Sequence, residues 1–297
     1  DLAMWWALGG LLACGGGTEP DGEDAGETDP EAGLPAPASP KPYAQTCPPM
    51  EGTVEGFVSG SKTDRRFIVH LPKETSGAGV VFAWHGNGDS AANFDRYLDG
   101  EGMARQLKAI VVVPQAGAGG LGMDWAVPPN DTRNDVAFFD DVLGCLDEQY
   151  DLDLRRVYSV GFSMGALWTS WLVMNRTEHL AAAVTFSGGS DGSVFGAGTV
   201  NAYASPSWDI PVLMTEGGAT DEVIVNFQQM TRAMSGKLRE DGSTVVVCSH
   251  GRGHTIPSGF DRWAWAFLNQ HVYGRAPSPY AGGQDPSGKL PDYCAWE

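Results

Sequence analysis

Positive charge is scarce in this chain. Its 19 Lys and Arg stand against 37 Asp and Glu, a formal net charge of −18. Binding to a phosphate backbone needs a basic footprint, so a nucleic-acid partner is excluded. Cysteine is scarce too. There are five, and the spacings of Cys47, Cys145, Cys248 and Cys294 fit no zinc-ligand pattern, so neither a metal nor another cofactor is expected. Long apolar runs are also missing. The N-terminal run Ala3 to Ala13 is 11 residues long, too short to cross a bilayer as a helix. Lys and Arg are absent between Glu19 and Glu31, where seven acidic residues alternate with Gly and Pro. Such a stretch cannot bury enough apolar surface to fold.

What remains is ample for a large core: 42% apolar residues, with ten tryptophans. The expected organisation is a signal segment over 1–14, a disordered acidic linker over 15–42 and one folded domain over 43–297. Leu11-Leu12-Ala13-Cys14-Gly15 resembles a bacterial lipobox. That resemblance implies cleavage before Cys14, a lipid anchor on its sulfur and an exported, cell-surface protein. The four other cysteines are then an even set that permits two disulfides in any of three pairings.

From about Cys47 onward, strand-like and helical runs alternate, which predicts a mostly parallel sheet flanked by helices. The expected strands are Arg66–Leu71, Val80–Trp84, Ala109–Val113, Val157–Val160, Ala182–Phe186, Val212–Thr215 and Thr244–Cys248. Helical spacing marks Asp135–Tyr150, Ala166–Met174, Asn226–Arg239 and Phe260–His271.

One motif carries chemistry. Gly161-Phe162-Ser163-Met164-Gly165 lies between the strand ending at Val160 and the helix starting at Ala166. Strand, G-x-S-x-G, helix is the nucleophile elbow of α/β-hydrolases. A second match, Gly188-Gly189-Ser190-Asp191-Gly192, is followed by Gly196 and Gly198 with no helical pattern and reads as a loop. Context selects Ser163.

A serine hydroxyl needs a base, and the base an orienting carboxylate, in the order Ser, Asp or Glu, His. His254 is the favoured base. It sits in the loop Gly251-Arg252-Gly253-His254-Thr255-Ile256-Pro257 after the last strand, which His250 shares. His179 and His271 are poorly placed. Asp221 is the favoured acid, with Glu216 and Glu222 as alternatives and a helix N-cap as its competing role. The oxyanion donors expected are the amides of Met164 and of Asn87 in His85-Gly86-Asn87-Gly88, with Gly88 as substitute. Gly88 is a candidate substrate contact, as is Trp125 on the Gly-rich loop Gln115 to Asn134, although Trp125 could equally close the core. The gap from Ser187 to Ile210 is too short for a helical lid, which leaves the site open.

His85-Gly86-Asn87-Gly88, Asp153-Leu154-Arg155-Arg156-Val157-Tyr158 leading into the elbow, and Gly253-His254-Thr255-Ile256-Pro257 together resemble the secreted esterases that include polyhydroxybutyrate depolymerases and feruloyl esterases. The resemblance covers most of Val80 to Leu268. It implies an α/β-hydrolase fold without a large lid, a Ser163–Asp221–His254 triad and a monomeric serine esterase. Bulky or polymeric esters are the expected substrates: polyesters, or feruloyl and acetyl groups on plant polysaccharide. Two positions depart from the group. Gly217-Gly218 replaces a frequent His-Gly, and Ala166 stands where a second glycine is common. The competing functions are a polymer-binding surface lipoprotein on the same fold and a serine peptidase.

Overall fold

The structure, a computed structural model, describes residues 31, 33–117, 123–194 and 198–296. The expected signal segment and most of the expected linker lie outside the described residues. From Leu34 the chain forms one compact unit.

Its frame is a nine-stranded sheet of order β1-β2-β4-β3-β5-β6-β9-β10-β11. In chain order the strands are β1 (Gly52–Ser59), β2 (Lys62–His70), β3 (Gly79–Trp84), β4 (Ala109–Gln115), β5 (Val157–Phe162), β6 (Ala182–Phe186), β9 (Val212–Glu216), β10 (Val245–Ser249) and β11 (Cys294–Ala295). Two short strands, β7 (Gly192–Val194) and β8 (Gly198–Val200), pair with each other outside it. β4, β3, β5, β6, β9 and β10 are parallel, with antiparallel pairing at both ends of the sheet.

The apolar runs of β3, β6 and β9 are buried along their whole length because helices cover both faces. Alternate side chains divide between two cores. Val80, Phe82 and Trp84 pack with α3 (Arg133–Tyr150), α4 (Met164–Asn175) and α5 (Phe227–Glu240). Val81 and Ala83 pack with α1 (Ala91–Leu98), α2 (Gly100–Leu107) and α6 (Phe260–Asn269).

The connections decide where a site can form. From β3 the chain crosses to β4 on one side, and from β5 to β6 on the other. β3 and β5 are neighbours, with Trp84 opposite Gly161. A crevice therefore opens beyond the carboxyl ends of these two strands, the topological switch point at which parallel sheets bind ligands.

Disulfides join Cys47 to Cys145 and Cys248 to Cys294. The first fastens the segment before β1 to α3 across 98 residues of sequence. The second fastens β11 to β10. In the chain-entropy model, loops of this size contribute about 4 kcal/mol or more each.

The folded unit begins before residue 43. Arg155 Nη1 donates to the Pro35 carbonyl at 2.6 Å, and Ala38 N donates to the Glu178 carbonyl at 2.8 Å. The stretch from Leu34 has no helix or strand period to reveal it. Its backbone is nevertheless held by hydrogen bonds to the domain, which shortens the expected linker.

His271 at the end of α6 lies in the second core, 1% exposed. Its Nδ1 is 2.7 Å from the Phe267 carbonyl and its Nε2 2.7 Å from Ser278 Oγ. Both contacts suit a neutral ring with Nδ1 donating and Nε2 accepting. Burial pushes its pKa down to about 4. The unfolded chain takes up this proton near pH 6.5, whereas the folded chain waits until about 4. Stability should therefore fall as pH drops through that window, by about 1.4 kcal/mol per unit and roughly 3 kcal/mol in all. His271→Gln should flatten this slope by one proton in urea midpoints measured from pH 7 to 4. Equal slopes in both proteins would show that the ring titrates normally in the fold.

Candidate active site

β5 ends in the elbow. Ser163 has φ 55° and ψ −118°, a strained conformation held by its amide donating to the Phe186 carbonyl at 2.9 Å. The glycines on either side answer to space. A Cβ at Gly161 would lie 2.1 Å from the Gly165 carbonyl oxygen, and one at Gly165 would lie 2.1 Å from that of Trp84. Strand and helix meet too closely for any side chain at either position. Ala166 is accommodated by Gly188, where a Cβ would come within 3.0 Å of the Ala166 Cβ.

The turn delivers Ser163 Oγ to within 2.8 Å of His254 Nε2, and His254 Nδ1 lies 2.7 Å from Asp221 Oδ1. The imidazole is stacked between Phe162 and Phe227, with ring centroids 5.0 and 4.6 Å away. Asp221 is fully buried. Its Oδ2 accepts from Ser187 Oγ at 2.9 Å and from the Gly217 amide at 2.8 Å. Three donors thus compensate the buried carboxylate, as a buried charge requires. This is the geometry of a hydroxyl, a base within reach of its proton, and an acid that orients the base.

The competing assignments have other places. The α5 N-cap is Asn226, whose side chain accepts from the Gln229 amide, so the Asp221 carboxylate is not needed as the N-cap of that helix. Glu216 Oε2 accepts from the Gly218 amide, and Oε1 from Ser249 Oγ and Gln228. Glu222 Oε2 accepts from Asn226 Nδ2 at 3.4 Å. His250 Nδ1 accepts from the Arg252 amide, and burial lowers its pKa. His85 is buried as well, its pKa lowered by desolvation, and its Nε2 accepts from the Ala116 amide. His179 binds the Ala38 carbonyl. A side chain at Gly217, the other departure from the esterase group, would place Cβ 1.9 Å from the Gly253 carbonyl oxygen. The backbone of the histidine loop fills that space.

Asn87 and Met164, the expected oxyanion donors, both line the cavity that holds Ser163. Met164 opens α4, where an amide has no acceptor within the helix. The Asn87 loop is fixed by a reciprocal pair: Asp124 N donates to Asn87 Oδ1 at 2.9 Å, and Gly88 N donates to Asp124 Oδ2 at 2.6 Å.

Two expectations are corrected here. The Gly88 amide is taken by Asp124, and Gly88 does not line the cavity. Trp125 is fully buried, with Nε1 donating to the His85 carbonyl at 2.8 Å and its ring edge-on to Trp84. It closes the core beneath the oxyanion loop and offers no face to a substrate. Trp168 is likewise core.

The cavity measures about 460 Å³ and is largely apolar, with Met123, Pro129, Leu167, Val200, Val223 and Ile224 among its walls. No motif in the sequence marks these residues; of them only Met123 and Pro129 lie on the Gly-rich loop Gln115 to Asn134. No helix covers the opening in the described part of 187–210, where only β7 and β8 form. Among the described residues, no group of His, Cys, Asp and Glu side chains could hold a metal, and no helix is long and apolar enough to cross a membrane.

The fold is that of the α/β-hydrolases, and the chain is similar to an esterase group of that fold. No family model matches it. Feruloyl esterase D of Neurospora crassa is 29% identical over 153 residues, 46% of this chain and 49% of that one. The chain thus spans about half the length of that relative. An oxidized polyvinyl alcohol hydrolase of Sphingopyxis sp. is 25% identical over 307 residues, covering 81% of this chain and 84% of the relative. The crystal structure of native pOPH superposes with a TM-score of 0.65 at 22% identity, covering 88% of this chain and 96% of that one.

Proposed function

We propose that this protein is an exported serine esterase that hydrolyses carboxylic esters through an acyl-enzyme, with water-insoluble or polymeric esters as its preferred class. The observation that carries this reading is the Ser163–His254–Asp221 chain, at 2.8 and 2.7 Å, on an elbow that opens into an apolar cavity. Ser163 Oγ attacks the ester carbonyl carbon while its proton passes to His254 Nε2. Asp221 holds Nδ1–H and stabilises the imidazolium. The amides of Asn87 and Met164 hold the oxyanion. The ester C–O bond then breaks, and the leaving alcohol takes the proton from His254. Water attacks the acyl carbon, gives its proton to His254, and releases the acid as Ser163 is reprotonated. Every step is served by side chains and amides of this chain.

Two disulfides support an oxidising compartment, and a lipid on Cys14 would tether the domain at the cell surface. Among the described residues the cavity lining includes no Lys or Arg, which favours an uncharged acyl group. The names of the relatives, a feruloyl esterase and an oxidized polyvinyl alcohol hydrolase, fit ester or polymer hydrolysis of this kind.

The test compares initial rates on p-nitrophenyl butyrate, methyl ferulate, an amorphous polyhydroxybutyrate suspension and a p-nitroanilide. Turnover of the first, with release of soluble products from the polymer, is expected. Methyl ferulate alone would make it a feruloyl-type esterase, and the anilide alone a peptidase. A folded protein silent on all four would overturn the enzymatic reading in favour of a polymer-binding lipoprotein.

A further inference from the structure

Five residues join Asp221 to the first residue of α5: Glu222, Val223, Ile224, Val225 and Asn226. They form a closed turn, with Phe227 N donating to the Asp221 carbonyl at 2.9 Å and Glu222 bridging Asn226. Val225 and Phe227 point inward, 5% and 4% exposed. Val223 and Ile224 do not: they are 63% and 65% exposed. With Tyr97 they are the large apolar side chains left exposed among the described residues. Both also line the cavity that holds Ser163. One side of each borders the cavity while the rest meets water, so the apolar wall continues past the opening.

An exposed apolar pair is ordinary when scattered, but here it is continuous with an apolar cavity and fastened at both ends. Docking onto it orders little further chain and so costs little entropy. Polar or anionic occupants are disfavoured, since Glu222 adjoins the tip, Asp89 lies on the cavity and the whole chain carries −18.

Resting on the esterase reading above, we propose that Val223 and Ile224 form an external subsite for the uncharged aliphatic chain of a polymeric ester, seating the segments beyond the scissile bond while that bond lies at Ser163. The tip makes the enzyme select long apolar chains over short esters, and it holds the domain to the surface of a solid substrate.

The experiment uses the full chain and the Val223→Ser/Ile224→Ser double variant, each normalised to serine sites titrated with a fluorophosphonate. Within each enzyme, the rate on amorphous polyhydroxybutyrate is divided by kcat/KM on p-nitrophenyl acetate. Pelleting with the suspension measures adsorption. Burying a Val or Ile side chain contributes about tenfold or more in affinity, so the ratio and the adsorbed fraction should both fall roughly 10- to 100-fold in the variant. An unchanged ratio would overturn the subsite, as would a wild-type protein that turns over the acetate but neither binds nor cleaves the polymer. Absence of acetate turnover and of serine labelling in the wild type would instead sink the esterase reading itself. A Val223→Leu/Ile224→Leu variant, apolar but reshaped, should keep the adsorption, and its loss there would also overturn the proposal.

Discussion

Ser163→Ala is expected to lower kcat on p-nitrophenyl butyrate by roughly 10⁵- to 10⁶-fold while the folded structure persists, because residues acting as one nucleophilic unit fail together. The size follows from the geometry. The hydroxyl is the atom that would bond to the acyl carbon, and its 2.8 Å contact with His254 Nε2 is the route for its proton. His254→Ala should cost nearly as much, and the double variant should fall no further than either single one. That non-additivity is the discriminating result. Two independent contributors would multiply, whereas a base with nothing left to deprotonate contributes nothing. The oxyanion amides and the cavity remain in each variant, so a residual rate of about 10³ to 10⁴ over the uncatalysed reaction should survive. A Ser163→Ala protein retaining a tenth of the activity would place the nucleophile elsewhere, and Ser190 in the second G-x-S-x-G would then be examined. That serine is buried and bonded to its neighbour Asp191, a poor position for attack.

The elbow could be read from the sequence because its demands are local. Two glycines and a flanking strand and helix express a steric requirement that the structure shows as 2.1 Å clashes for any Cβ. Several of the expected strands were legible for a related reason, since runs such as Ile110–Val113 are apolar on both faces only when helices cover both, while Arg66–Leu71 showed instead the alternation of a half-buried strand. β1 escaped because Gly52 and Gly56 interrupt it and its pairing with β2 shifts register near Phe57, so no alternation survives. α1 and α2 escaped because each is eight residues long, and Asp99 at φ 53° ends one and begins the other. Eight residues hold barely two turns of period. The site divides along the same line. Motif and order single out Ser163, His254 and Asp221, which the fold brings into one hydrogen-bonded chain, but Ser187, Gly217 and the cavity walls come from segments that meet only in three dimensions. For Trp125 a Gly-rich loop left exposure and core closure equally open, and the structure takes the second, with its Nε1 donating inward to the His85 carbonyl. Val223-Ile224-Val225 carries the opposite lesson. An apolar triplet suggests burial, yet the short turn between Asp221 and Asn226 leaves two of the three in water.

Asp221→Asn is the second large effect, with kcat expected to fall by about 10⁴-fold and KM to change little. The structure gives the reason in hydrogen-bond terms. Oδ2 accepts from the Gly217 amide at 2.8 Å, and a backbone N–H cannot turn into an acceptor. The asparagine must therefore keep its carbonyl oxygen on that side, which also suits Ser187 Oγ at 2.9 Å. Its NH₂ then faces His254 Nδ1. Two donors cannot share that contact, so the ring moves its proton to Nε2 and presents N–H, no longer a lone pair, to Ser163 Oγ. The base is lost without displacing a single heavy atom. Glu216 cannot take over, because its two oxygens already accept from the Gly218 amide, Ser249 and Gln228. Glu216→Gln should accordingly cost less than about tenfold in kcat, through small shifts of the loop after β9. Steady-state rates on p-nitrophenyl butyrate for the two variants decide the matter. Equal losses would show that Glu216 shares the acid's role, and a larger loss for Glu216→Gln would transfer it there. A gap of about 10³- to 10⁴-fold in the expected direction would tie the orientation of His254 to Asp221, whose other oxygen is held by the Gly217 amide.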